Sequence, residues 1–167
     1  MKKFTTKKLA LAGIIAGLYV VISLVTFPIA SGAIQVRLSE ALCILPLFFI
    51  EAVPALFIGC ALSNLITGCA IFDIALGSLI TLVSAILTLI VGKVTKNTWL
   101  KLVFAGIFPI VLNAFGLPLI WLLCYGVTEY VYHIQVIILF IGQTLSIYGL
   151  GIPLYFSIVK ANKKSRA

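Results

Sequence analysis

Charged residues are scarce in this sequence of 167 residues, at 10% of its composition. A soluble domain of this length has about a quarter of its residues charged. The hydrophobic content is 63% and the mean hydropathy is +1.27. Long uninterrupted apolar runs replace the alternation of polar and apolar residues that barrel strands require. These properties exclude a soluble domain and predict an all-α integral membrane protein.

The sequence also lacks the residue patterns on which common enzyme classes depend. It has no P-loop, no nucleophile elbow and no cluster of metal ligands, and His133 is its single histidine. None of the four cysteines forms a C-x-x-C pair, so they are expected to be small packing residues. We therefore expect no enzyme activity, no metal and no cofactor in this chain. If transport is active, ATP must be hydrolysed by other chains.

Six apolar segments are separated by polar or helix-breaking residues, and they predict one membrane domain over residues 1–167. The six predicted helices cover residues 9–27, 36–50, 52–69, 74–92, 102–124 and 134–159. The first is too long for a signal-peptide core, so we interpret it as a retained span. The second would be about 22 Å long as an α-helix. It can cross only if its outer end lies at or just below the membrane interface.

The basic residues are concentrated in three segments that six spans place on one side of the membrane. The N-terminus, the loop at 93–101 and the C-terminus hold eleven of the twelve. The positive-inside rule assigns this side to the cytoplasm of a bacterial plasma membrane. The net charge of +8 therefore indicates topology and attraction to anionic lipid, and does not indicate nucleic-acid binding. Arg37 is the exception, on the outer side.

Polar residues within the spans fall mainly in their outer halves, which predicts a pocket open to the outside. The candidate ligand-binding residues are Arg37, Glu40, Asn64, Asp73, Asn113, Glu129 and Gln143, with Trp121 as a surface on which a flat ring can stack. Three carboxylates against one arginine suit a ligand rich in N–H donors. Two simpler interpretations stay open. Arg37 and Glu40 can form an interfacial salt bridge, and Asp73 can cap its helix.

Three blocks of sequence carry a family resemblance. GAIQVRLSEALCILPLF, PALFIGCALSNLITG and FDIALGSLITLVSAILT resemble the queuosine-precursor transporter family, QueT. That family belongs to the substrate-binding S-components of energy-coupling factor (ECF) transporters. The resemblance implies six helices, an outward pocket, a transmembrane coupling subunit and two ATPase subunits as partners. It also implies that Ala12 and Ala16 dock on the coupling subunit, although the same small residues can pack within the protein.

If the resemblance holds, the ligand is a 7-deazaguanine precursor of queuosine, or queuine. Glu40 or Glu129 then accepts hydrogen bonds from the guanine edge, and Asp73 takes the remaining donors. Arg37 orients Glu40 or closes over the ligand. The candidate donors to the ring oxygen O6 are Asn64, Asn113 and Gln143. The alternatives are an S-component for another vitamin or purine, a stand-alone channel or facilitator, and a scaffolding membrane protein.

Overall fold

The computed structural model describes residues 5–30, 35–126 and 131–164 of the chain. Over these ranges the regular secondary structure is helical, and no strand is present. The α-helices are α1 (Thr6–Val25), α2 (Phe27–Ala30), α3 (Ala52–Ile66), α4 (Ser78–Val94), α5 (Thr98–Tyr125), α6 (Tyr132–Ser146) and α7 (Ile152–Lys164). A 3₁₀ helix covers Leu38–Leu47, and π-helical turns cover Asp73–Gly77 and Ile147–Gly151.

Four helical units among the described residues are long and apolar enough to cross a membrane. They are Thr6–Val25, Asp73–Val94, Thr98–Tyr125 and Tyr132–Lys164, the second and fourth of which run through the π-helical turns. The 3₁₀ helix and α3 are apolar but shorter. The all-α, multi-pass character predicted from the sequence is therefore confirmed. Six crossings stay a prediction, because two of the six segments fall below the length of a full span.

The second apolar segment is not the α-helix that the sequence predicts over residues 36–50. It forms a 3₁₀ helix over Leu38–Leu47, with Pro46 inside it. A 3₁₀ helix rises about 2.0 Å per residue, so these residues extend about 20 Å. The same number of residues in an α-helix would extend about 15 Å. The extra rise lets a short segment cover more of the apolar layer.

The chain after α1 also differs from the prediction, in which the first helix ends at residue 27. Residues Phe27–Ala30 form one further helical turn, in which the backbone N–H of Ala30 donates to Thr26 O at 2.9 Å. Pro28 lies in the first turn of this helix, where a backbone N–H has no intrahelical partner and is not needed. The helical path therefore continues beyond the proline.

One end of the bundle gathers the start of α1, the turn after the 3₁₀ helix, and α7. Lys8 Nζ lies 2.7 Å from Glu51 Oε1. Two ring contacts join further segments to this end: Phe48 with Tyr155 at 4.9 Å, and Trp99 with Phe156 at 6.1 Å. We call it the basic end, because Lys8, Lys93 and the terminal lysines of α7 all lie there. Its assignment to the cytoplasm stays a prediction.

Helix α1 packs on α3 through small residues. A Cβ placed on Gly59 of α3 would lie 2.8 Å from Tyr19 Cβ and 3.1 Å from Ala16 O, so only glycine permits this approach. Ala12 and Ala16 are half-buried against the core that α1 and α3 share. Gly13 and Gly17, on the neighbouring ridge, are exposed, and a Cβ on either would meet nothing within 4 Å. The alanine ridge thus packs largely within the protein.

Candidate functional site

A cavity of about 200 Å³ lies at the end of the bundle opposite the basic end. Its wall is built from the last turns of α1 and α3, the approach to the 3₁₀ helix, the start of the π-helical turn before α4, and α5 and α6. Its lining residues are Ser23, Thr26, Phe27, Ala30, Gln35, Arg37, Ser39, Ser63, Asn64, Thr67, Cys69, Asp73, Leu117, Trp121 and Leu139. At roughly 30 Å³ for each water molecule, this volume holds about seven waters. It suits a small ring compound.

Arg37 and Asn64 form the polar side of the cavity. Arg37 Nη2 donates to Asn64 Oδ1 at 2.8 Å, and Asn64 Nδ2 donates to the main-chain oxygen of Asp73 at 3.3 Å. Asn64 thereby joins the residue before the 3₁₀ helix to the turn before α4. A guanidinium carries five N–H donors, so Arg37 retains donors beyond this bond that a ligand can accept.

Asp73 and Trp121 form the second polar contact of the wall. Trp121 Nε1 donates to Asp73 Oδ1 at 2.7 Å, while Oδ2 of Asp73 has no partner within the described ranges. The interpretation of Asp73 as a helix cap is wrong. Its own backbone N–H already donates to Ala70 O at 2.9 Å, and its side chain bonds α5 instead of its own helix. Among the described residues, the carboxylate therefore keeps one oxygen at the cavity to which no protein group donates.

Glu40 lies away from the cavity wall, in a buried cluster at the start of the 3₁₀ helix. Its exposed fraction is 0%. Tyr19 Oη donates to Glu40 Oε1 at 2.5 Å, and Oε2 accepts from Cys43 Sγ at 3.2 Å and Asn113 Nδ2 at 3.4 Å. The predicted pairing of Arg37 with Glu40 is wrong, since Arg37 bonds Asn64. Tyr19, which no sequence pattern suggested, donates to Glu40 where the arginine was expected to do so.

Two glutamines of α6 are buried without a hydrogen-bond partner. The exposed fractions are 1% for Gln135 and 0% for Gln143, and all four of their amide N and O atoms lack a partner in the described part of the chain. Gln143 was a candidate from the sequence, and Gln135 was missed. The available signal was their spacing, because residues eight apart share one helix face. Leu139, midway between them, lines the cavity.

A family model described as QueT transporter matches residues 9–160, nearly the whole chain. The chain belongs to the QueT transporter family. No curated protein and no solved structure matches it. The family resemblance of the three sequence blocks is therefore confirmed. With its long apolar helices, this QueT protein is a multi-pass membrane transporter, and its membership of a transporter family speaks against an enzyme.

In this QueT protein the described binding residues predicted from the sequence form two groups, those that line the cavity and those that are buried outside its lining. Arg37, Asn64, Asp73 and Trp121 line the cavity. Glu40, Asn113 and Gln143 lie outside its lining and are fully buried. Glu129 lies outside the described residues. Among residues 5–30, 35–126 and 131–164, no group of His, Cys, Asp and Glu side chains is arranged to hold a metal ion.

Proposed function

We propose that this QueT protein is the substrate-binding S-component of an ECF importer for a queuosine precursor, either a 7-deazaguanine derivative or queuine. It captures the ligand in the cavity from outside the cell. A coupling subunit and two ATPase subunits on other chains then drive its delivery to the cytoplasm. The family match and the placement of the cavity opposite the basic end support this proposal.

The observation that carries the proposal is the composition of the cavity wall. A planar indole, a guanidinium and a carboxylate oxygen without a partner among the described residues converge on a space of about 200 Å³. Trp121 offers a face on which a bicyclic ring can stack. Asp73 Oδ2 accepts N–H groups, and a cationic arm on the ring would pair with its charge. Arg37 offers donors to a ring oxygen.

We place the contact with the coupling subunit on α1. The family resemblance implies a contact through Ala12 and Ala16, which here are half-buried against the protein's own core. Gly13 and Gly17 extend that surface outward and permit close approach of another helix. Gly17→Leu is expected to leave ligand binding intact and to reduce co-purification with the coupling subunit. Unchanged co-purification would remove this ridge from the interface.

Binding to the purified protein in detergent tests the function directly. We expect tight, selective binding of an aminomethyl or nitrile 7-deazaguanine or of queuine, measured by calorimetry. Guanine, riboflavin and thiamin serve as controls. Binding of a control and of no deazaguanine would retain the S-component assignment and reject the cargo. If the folded protein binds none of these compounds, both the S-component assignment and the cargo are rejected.

A transport assay separates the S-component from a stand-alone facilitator. The purified chain is reconstituted in vesicles without other proteins, and entry of labelled deazaguanine is followed. We expect no accumulation, because the sequence contains no ATP-binding P-loop. Rapid equilibration across the vesicle membrane by this chain alone would favour the facilitator.

A further inference from the structure

The two unpartnered glutamines of α6 are the least explained feature of the molecule. A buried amide without a hydrogen bond is destabilising, and in an apolar environment each such group costs several kcal/mol. Gln135 and Gln143 leave four such atoms without a partner among the described residues. By contrast, the equally buried Asn113 donates to Glu40 and to Pro109 O. A partner supplied from outside the chain would account for the difference.

The position of the glutamines points to the cavity as the source of that partner. The buried residues of α6 form one stripe, which contains Gln135, Leu139 and Gln143. Leu139 lines the cavity and packs with Leu117 of α5. Because α5 and α6 run antiparallel, Gln135 lies near the level of Trp121 and Gln143 near that of Asn113. The two glutamines are about 12 Å apart along the helix axis.

The chemistry of a carboxamide specifies the kind of group it would recognise. Each carboxamide presents a donor beside an acceptor and carries no charge. A lactam edge, with its adjacent N–H and C=O, pairs with it through two hydrogen bonds. Glu40, the carboxylate that the sequence suggests for this edge, already accepts hydrogen bonds from three protein groups. The two glutamine amides have no hydrogen-bond partner in the part of the chain that the structure describes, whereas both Glu40 oxygens have one.

We propose that Gln135 and Gln143 bind the hydrogen-bonding edges of the ligand, which lies along α6 against Leu139. This inference rests on the proposed function and specifies its cargo as a planar heterocycle whose ring is uncharged and has a lactam edge. Neither glutamine belongs to the cavity lining in the ligand-free structure, so ligand binding requires a change of side-chain rotamer at each. Glu40 then supports the 3₁₀ helix through Tyr19 and Asn113, and does not touch the ring.

The first test is the stability of the ligand-free protein. Gln135→Met and Gln143→Met keep the size of each side chain and remove its unpartnered polar atoms, so each is expected to raise the thermal unfolding temperature. Asn113→Leu is the matched control, and it is expected to lower that temperature because its amide has partners. A lower unfolding temperature for either methionine variant would show a structural partner for that glutamine and overturn its assignment.

The second test is affinity. Each methionine variant is expected to bind the deazaguanine preferred by the wild type about tenfold to a hundredfold more weakly. Thr144→Val is the control, since its hydroxyl donates to Phe140 O within α6. Wild-type affinity in both methionine variants would overturn this inference and leave the proposed function standing. If the wild type binds no deazaguanine, the proposed function fails, and the stability test still decides whether the glutamines are held by the protein.

Discussion

Asp73 is the carboxylate of the described cavity wall, and its charge is expected to select among cargoes. Asp73→Asn retains an oxygen for the Trp121 N–H and removes the negative charge. We expect the affinity for an aminomethyl deazaguanine to fall by about tenfold to a hundredfold, because a charged hydrogen bond is lost. The affinity for the uncharged nitrile should change little. Calorimetry with both ligands measures the difference, and an equal loss for both would contradict a role for the charge.

Tyr19 and Glu40 form the shortest side-chain bond of the buried cluster, and the hydroxyl is expected to matter for stability. Tyr19→Phe leaves Glu40 Oε1 without its donor. We expect the free energy of unfolding to fall by about 1–3 kcal/mol, the range for a buried polar group that loses its hydrogen-bond partner. Thermal unfolding in detergent measures this loss.

Tyr155 supplies the matched control for that substitution. It is also buried, but its hydroxyl makes no hydrogen bond within the described residues. Tyr155→Phe should therefore change the unfolding temperature by less than Tyr19→Phe does. Equal effects of the two substitutions would mean that the bond to Glu40 contributes nothing of its own.

The sequence predicts which residues of the site are special better than it predicts their partners. Arg37, Asn64 and Asp73 stand out because polar side chains in apolar helices must find partners or ligands. Their pairing depends on how the helices rotate against one another, which no local pattern contains. Arg37 and Glu40 are neighbours in sequence, and yet they bond different helices. Gln135 was missed because its spacing from Gln143 shows a shared helix face but not that this face borders a cavity, which only the position of Leu139 reveals.

At the scale of helices, the contact of α1 with α3 depends on the absence of a side chain at Gly59. Gly59→Ala places a Cβ 2.8 Å from Tyr19 Cβ, so the helices must separate. We expect a loss of about 1–3 kcal/mol in unfolding free energy, as for other overpacked cores. Weaker ligand binding should accompany it, because the last turn of α1, which lines the cavity, moves with the helix.

Gly17→Ala tests the same residue type on the outer ridge of α1. A Cβ there meets nothing within 4 Å, and alanine is the better helix former. We expect no loss of stability, or a small gain. If Gly17→Ala and Gly59→Ala are equally destabilising, the close packing at Gly59 is not the cause.

Helix type proved harder to predict than helix position. In a 3₁₀ helix and in an α-helix alike, residues three apart lie next to each other. The apolar sequence of Leu38–Leu47 therefore does not distinguish the two helix types. Its form follows from tertiary packing, because it contacts α1, α4, α5 and α6 at once. The π-helical turn at Ile147–Gly151 contains Gly149 and Gly151 and precedes Pro153, and these residues weaken a regular helix.

At the scale of the whole molecule, the ion pair of Lys8 and Glu51 joins the start of α1 to the turn before α3 at the basic end. The hydrogen bond from Lys8 holds the pKa of Glu51 below its ordinary value of 4.5. A carboxyl group whose pKa is lower in the folded than in the unfolded state stabilises the fold at pH values above its unfolded-state pKa. This stabilisation is lost as the pH falls through the folded-state pKa. We expect the unfolding temperature to decrease when the pH is lowered past about 4.5. This decrease should be smaller in Lys8→Met than in the wild type.

Lys7→Met is the control for that experiment, since Lys7 is exposed and makes no ion pair within the described residues. It removes the same charge from the adjacent position. The acid dependence of Lys7→Met should match the wild type. If Lys7→Met and Lys8→Met weaken it equally, the effect comes from net charge at this end and not from the contact with Glu51.

The orientation of the molecule decides whether its cavity can capture a ligand from outside. The positive-inside rule predicts that Lys96 lies in the cytoplasm. Because the cavity lies at the end opposite the basic end, the same rule predicts that the cavity opens to the outside. In a variant with its four cysteines replaced, we introduce Lys96→Cys or His133→Cys, both at exposed positions. A membrane-impermeant maleimide should label His133→Cys in intact cells and Lys96→Cys only after permeabilisation. The reverse labelling pattern would mean that the cavity faces the cytoplasm. It could then not bind a ligand from outside the cell, which would contradict the proposed function.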